Sequence, residues 1–125
     1  MELDLDWRTV QSEVWPEVSY ELRPLRVWAF RDLMAFWEKQ GAQTENENAI
    51  IRMSPVESFR LMELAERILP DHVRALKGVS VKTAGERATP EIAQLCQESA
   101  LIPLAGEMVA KLVSISQVEG EPEKK

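Results

Sequence analysis

The sequence predicts a mostly helical α+β domain, with about three main helices and a small N-terminal β-hairpin or sheet. Three observations carry that reading. Apolar and polar residues alternate near the N-terminus. The period lengthens to helical spacing from about Arg26 onward. Two proline-bearing start signals, Ser54-Pro55 and Thr89-Pro90, then each precede a helical stretch.

In the first segment Leu3, Leu5 and Trp7 alternate with Glu2, Asp4 and Asp6, the pattern of a half-buried strand. Val18, Tyr20 and Leu22 repeat it after a break at Trp15-Pro16, which predicts a hairpin or small sheet. Pro24 ends the second strand or places it at a sheet edge. Val27, Phe30, Leu33, Met34 and Trp37 then share one helical face, with Arg31, Asp32, Glu38 and Lys39 elsewhere, and Gly41 serves as the stop. Residues 42–48 (AQTENEN) are polar and unpatterned, hence a loop.

The second helix has the clearest start. Ser54 caps it, Pro55 suits its first position and Glu57 completes a capping box. Phe59, Met62, Ala65, Ile68 and Leu69 supply its inward face, and Pro70 ends it or marks a break. Residues 71–77 (DHVRALK) read as a turn or single helical turn closed by Gly78. Val79 and Val81 form at best a short strand before the Thr83-Ala84-Gly85 turn. Thr89-Pro90-Glu91 is expected to open the last helix, with Ile92, Leu95, Cys96, Ile102, Val109, Leu112 and Val113 as its stripe. Pro103 falls inside that stripe and predicts a kink or split near Ser99. Residues 1–118 make one domain, and the charged residues 119–125 a disordered tail.

The composition narrows the function classes. The chain has 125 residues, 45% hydrophobic and 29% charged, which is one ordinary soluble domain. Its net charge of −6 opposes nonspecific attraction to nucleic acid and to anionic membranes. No apolar run is read as approaching the roughly 20 residues of a membrane span. Residues 1–7 lack the basic start and apolar core of a signal peptide. Cys96 is a lone cysteine with no internal disulfide partner. A cytoplasmic location is the expectation.

Chemistry is scarce. His72 beside Asp71 could suggest a general base, but adjacent helical residues face apart and helix-end capping is the favoured role. Cys96 lies on an apolar stripe, where a structural thiol is the default. One His and one Cys do not make a zinc site, and Glu45 to Asn48 lack calcium-loop spacing. Five single glycines form no phosphate cradle. Arg60, Arg67, Arg74, Lys77, Lys82 and Arg87 interleave with Glu63, Glu66, Asp71 and Glu86, a solvated face rather than a recognition helix. No catalytic residue, metal ligand or cofactor is therefore assigned, and an enzyme is not expected. The surplus is aromatic. Trp28, Met34, Phe36 and Trp37 crowd one helix, either as a deeply buried element or as a partner-binding face.

Several runs together resemble one family. Tyr20-Glu21-Leu22-Arg23-Pro24-Leu25, a strand entering an amphipathic helix, resembles the opening of phage tail assembly chaperones. Leu69-Pro70-Asp71-His72-Val73 with Leu76-Lys77-Gly78-Val79 is similar to that family's midsection. Thr89-Pro90-Glu91, Ile102-Pro103-Leu104 and Leu112-Val113-Ser114-Ile115-Ser116 match its close. Residues 1–18, with two tryptophans, depart from the pattern. The resemblance implies a short-form chaperone of a long-tailed phage or prophage, one that binds the tape measure protein, helps recruit tail tube protein and leaves before the virion is complete. It implies a homo-oligomer, and no nucleic acid or membrane partner is expected. The alternatives are a structural component, such as a head–tail connector or tail completion protein, and a small DNA-binding regulator.

Overall fold

The computed structural model describes Glu2 and residues 5–40 and 55–119. Strand β1 is Arg8–Gln11, β2 Ser19–Leu22, helix α1 Val27–Gln40, α2 Pro55–His72 and β3 Val73–Lys77. A hairpin of β4 (Val81–Thr83) and β5 (Glu86–Ala88) follows. Two 3-10 turns, Ala93–Cys96 and Ser99–Leu101, lead into helix α3, Ile102–Glu119. The class is the expected mostly helical α+β arrangement, with three α-helices among the described residues. The expected Gly41 stop, the loop at residues 42–48, the Ser54 cap and residues 120–125 lie outside those described.

Strand β2 lies at the centre of the three-stranded sheet, antiparallel to β1 and β3 on either side. Its alternation does what the pattern predicts: Val18, Tyr20 and Leu22 are sealed inside. The first strand is displaced from its expected place. Leu5 is 55% exposed, and pairing begins at Arg8, with Val10 opposite Tyr20. The Ser12 N–H donates to the Val18 carbonyl (2.9 Å), which continues the β1–β2 pairing into the connecting turn; the strand that pairs thus lies beyond the alternating run, with Val10 out of phase with Leu5 and Trp7. Trp7 instead lies beneath the Arg74 guanidinium (4.3 Å), which also bonds Glu21 (2.7 Å). Pro24 follows the end of β2 and is itself buried.

Residues 73–77 are a correction, because they form a strand rather than a turn. Val73 pairs with Leu22 and Arg74 with Glu21, and Lys77 then pairs with Ser19. That register leaves an extra residue on β3, where Ala75 takes a positive φ of 57°. Gly78 turns the chain away at φ 89°, and a Cβ there would overlap the Glu17 carbonyl.

The helices correct several expected faces. The inward row of α1 is Ala29, Leu33 and Trp37, while Val27 is 81% exposed in the first turn. On α2, Leu61, Met62, Ala65, Ile68 and Leu69 are buried, whereas Phe59 is 60% exposed. Pro70 does not end α2, which runs on to His72. So near the end only one backbone bond is at stake, and the two residues beyond it need little of the ladder. The last helix does not open at Thr89. It starts at Ile102, so Pro103 occupies the first turn, where its missing N–H has no partner to lose. The expected break near Ser99 is the second 3-10 turn. Helix α3 also reaches Glu119, one residue into the expected tail.

Helix α3 is the core element. Leu104, Ala105, Met108, Val109 and Leu112 are fully buried. Residues 99–116 are long and apolar enough to cross a membrane by length and composition, with mean hydropathy 1.4. That corrects the reading that no run approaches a span, and this fold uses the stretch as the packing centre.

Three substitutions at two positions test this packing by denaturant unfolding. Gly78→Ala is expected to cost about 3 kcal/mol, through positive φ and steric overlap together. Trp37→Ala is expected to cost about 3–5 kcal/mol. Trp37→Phe should cost clearly less, because the buried indole Nε1 has no hydrogen-bond partner among the described residues.

Candidate protein-binding site

The four residues singled out on α1 do not share one environment. Trp37 is 1% exposed and belongs to the core, so it offers nothing to a partner in this fold. Trp28, Met34 and Phe36 are half-buried and pack against that core from its edge. Phe36 meets Trp37 edge to face, with centroids 6.0 Å apart. Trp28 lies 5.9 Å from the His72 ring. The helix is thus part central element and part rim.

The apolar surface that sequence reasoning missed is on α2. Val56 (57% exposed) and Phe59 (60%) stand three positions apart in its first two turns, on one face. Phe59, three positions before Met62, fits the spacing of the inward stripe. The stripe's true centre, Leu61 through Leu69, leaves Phe59 on the outer side. Arg60, Glu63 and Arg67 continue the exposed row, so the apolar pair ends in a charged border.

His72 ties α2 to α1. It is fully buried, and its Nδ1–H donates to the Ile68 carbonyl (2.8 Å) while Nε2 accepts the Arg26 N–H (3.0 Å). A carbonyl only accepts and an amide only donates, so these partners set the neutral tautomer. The His72 carbonyl in turn accepts the Arg23 N–H (3.2 Å). Burial above all holds the imidazole pKa below its ordinary value. Arg23 and Arg26 add to this, against the Ile68 hydrogen bond and Asp71. With both nitrogens committed, His72 is a helix-end cap, as expected, and has no lone pair left for a base. Cys96 is half-buried, and burial followed by the Glu66 charge pushes its thiol up to about 11. At neutral pH it stays protonated, the reverse of an activated nucleophile.

Glu107, the lone carboxylate on the buried stretch of α3, gathers the start of the sheet. Its Oε1 accepts the Ser12 and Tyr20 hydroxyls (2.8 Å each), and its Oε2 accepts the Glu13 N–H (2.6 Å) and the Val14 N–H (3.1 Å). The Ser12 Oγ accepts the Val14 and Trp15 N–H groups (3.2 and 3.0 Å), which completes the turn. Burial alone would raise the Glu107 pKa. The hydrogen bonds from Glu13, Tyr20, Ser12 and Val14 outweigh it and hold the carboxyl below the usual range.

Both groups have folded pKa values below their unfolded ones, so each contributes stability that is full at higher pH and lost on acidification. His72 acts first. The unfolded chain takes up a proton near pH 6.5 and the folded chain resists it, so the denaturant midpoint should fall below that pH. His72→Gln should flatten this limb. Glu107 governs a second loss, below about pH 4.5, that Glu107→Gln should remove. A midpoint unchanged between pH 7 and the acid limb would rule out the buried neutral imidazole.

No protein-family model, curated protein or solved structure matches the chain.

Proposed function

We propose that the chain works by holding other polypeptides, as a tail assembly chaperone that binds the tape measure protein of a long-tailed phage or prophage. The observation that carries this reading is the exposed pair Val56 and Phe59 at the start of α2. An exposed phenylalanine beside a second apolar side chain, bordered by alternating charges, is the composition of a contact surface. Trp28, Met34 and Phe36, partly open at the edge of α1, supply further apolar area.

Three more points support it. The order of the runs from Tyr20 to Ser116 resembles that family. A net charge of −6 keeps a carrier of greasy clients in solution. His72 and Cys96, the side chains best suited to covalent or acid–base chemistry, are committed to structural roles. A largely helical client suits an α2 surface through helix-on-helix contact. In this reading the chain also helps bring tail tube subunits to the tape measure, acts as a homo-oligomer in the host cytoplasm and is absent from finished particles.

Co-expression with the tape measure protein tests it. The chain is expected to keep the tape measure soluble and to be missing from purified virions. Val56→Ser and Phe59→Ser together should weaken client binding at least about tenfold. They should move stability by only about 0.5 kcal/mol, as exposed positions do. A chain that copurifies with virions is a connector or completion protein instead. Unchanged client binding in the double variant would remove α2 as the contact surface.

A further inference from the structure

A cleft of about 650 Å3 opens on a part of the molecule that α1 and α2 do not line. Three stretches wall it. The β1–β2 connection contributes Trp15 and Glu17, the run through β4 contributes Val81 and Lys82, and the 3-10 segment contributes Glu98 and Leu101. Two of the walls are fastened. Glu107 and Ser12 hold the Trp15 turn, and the close approach of Gly78 to the Glu17 carbonyl packs that turn against the segment leading into β4. This recess is therefore built into the fold, and its size is that of a ligand site.

Its chemistry comes from a strand edge. β4 lines the cleft and β5 does not, so the cleft lies along the side of β4 that pairs with no strand among those described. The two-residue turn Ala84-Gly85 has positive φ at both positions (54° and 85°) and is closed by the pair Thr83 and Glu86. In such a hairpin the closing pair and every second pair beyond it exchange hydrogen bonds. Those are Thr83 with Glu86 and Val81 with Ala88, so the N–H and C=O of Lys82 point away from β5, toward the open edge. No turn or loop hydrogen bond among the described residues takes them up. Glu17 and Glu98 are exposed at the rim, and neither forms an ion pair among the described residues.

We propose that this cleft binds an extended, basic segment of another polypeptide, which adds as a strand to the free edge of β4. Main-chain groups of Lys82 supply the pairing, Trp15 and Leu101 cover apolar side chains, and Glu17 and Glu98 select for lysine or arginine. A second copy of this chain is a poor occupant. The segment sets an apolar residue opposite Lys82 and its basic residues at the positions on either side, whereas β4 paired with itself about Lys82 would set two ammonium groups opposite each other. The site is separate from the α2 surface and stands or falls without it.

The test is a titration of the 15N-labelled full chain with a capped hexapeptide alternating valine and lysine. Saturable shifts are expected at the Lys82 amide and the Trp15 indole, and Phe59→Ser should leave them unchanged. Glu17→Gln and Glu98→Gln should each weaken binding about threefold, the scale of an exposed ion pair. The same peptide N-methylated at alternate residues should not bind, because it lacks the donors for strand addition. Equal binding of the methylated peptide would overturn the proposal, as would shifts confined to the first turns of α2 or no saturable shift at all.

Discussion

The fold depends on one carboxylate. Glu107 sits in the second turn of helix α3 and binds four donors from Ser12, Glu13, Val14 and Tyr20, more than 85 residues away in sequence. An ionised group set against an apolar core, even one part-buried like Glu107, is costly unless its lone pairs are filled, and here the β1–β2 turn and Tyr20 of β2 fill them. The same bonds that lower its pKa fasten the β1–β2 connection to the core. They therefore position Trp15 at the cleft and keep β2 in register above α3. Lys111, one helical turn on, adds a weaker link to Glu13 (3.5 Å).

His72 does the corresponding work at the other junction. The end of α2, the start of α1 and the start of β3 meet there, and a neutral ring serves one acceptor and one donor. Between these two polar anchors lies an apolar centre of α1, α2, α3 and the inner sheet face. Uncovered apolar area remains at the opening turns of α2, where Val56 and Phe59 look outward. A small domain that encloses Trp37 fully yet leaves a phenylalanine in water has spent its exposure on a surface, which is why protein contact is the function proposed.

Much of the fold was legible. The alternation of Val18, Tyr20 and Leu22 marked the central strand, and Pro55 stands at the first position of α2, where its missing donor costs nothing; Pro103, expected inside a longer helix, instead falls in the first turn of α3. The errors have physical causes. Alternation ran through residues 2–8, yet pairing begins only at Arg8 and the phase has by then shifted to Val10, which stands opposite Tyr20. β3 carries an extra residue at Ala75, so its faces do not alternate cleanly and no period of two could reveal it. Phe59 matched the helical spacing of the inward row but stands at the end that the packed core does not reach.

For the functional residues, sequence spacing was a partial guide. His72 was read as a helix-end cap, yet its second partner, Arg26, is 46 positions away and leaves no local signal. Glu107 did leave one: a carboxylate alone among buried apolar positions asks for partners. Of the α1 residues chosen as a binding face, Trp37 proved to be core while Trp28, Met34 and Phe36 stay partly open. The most direct measurement of the central claim is hydrogen exchange on the chain with and without a tape measure protein, the client proposed for it. Added protection concentrated in residues 55–63 is the expected result. Protection absent there, with a bound client, would contradict it.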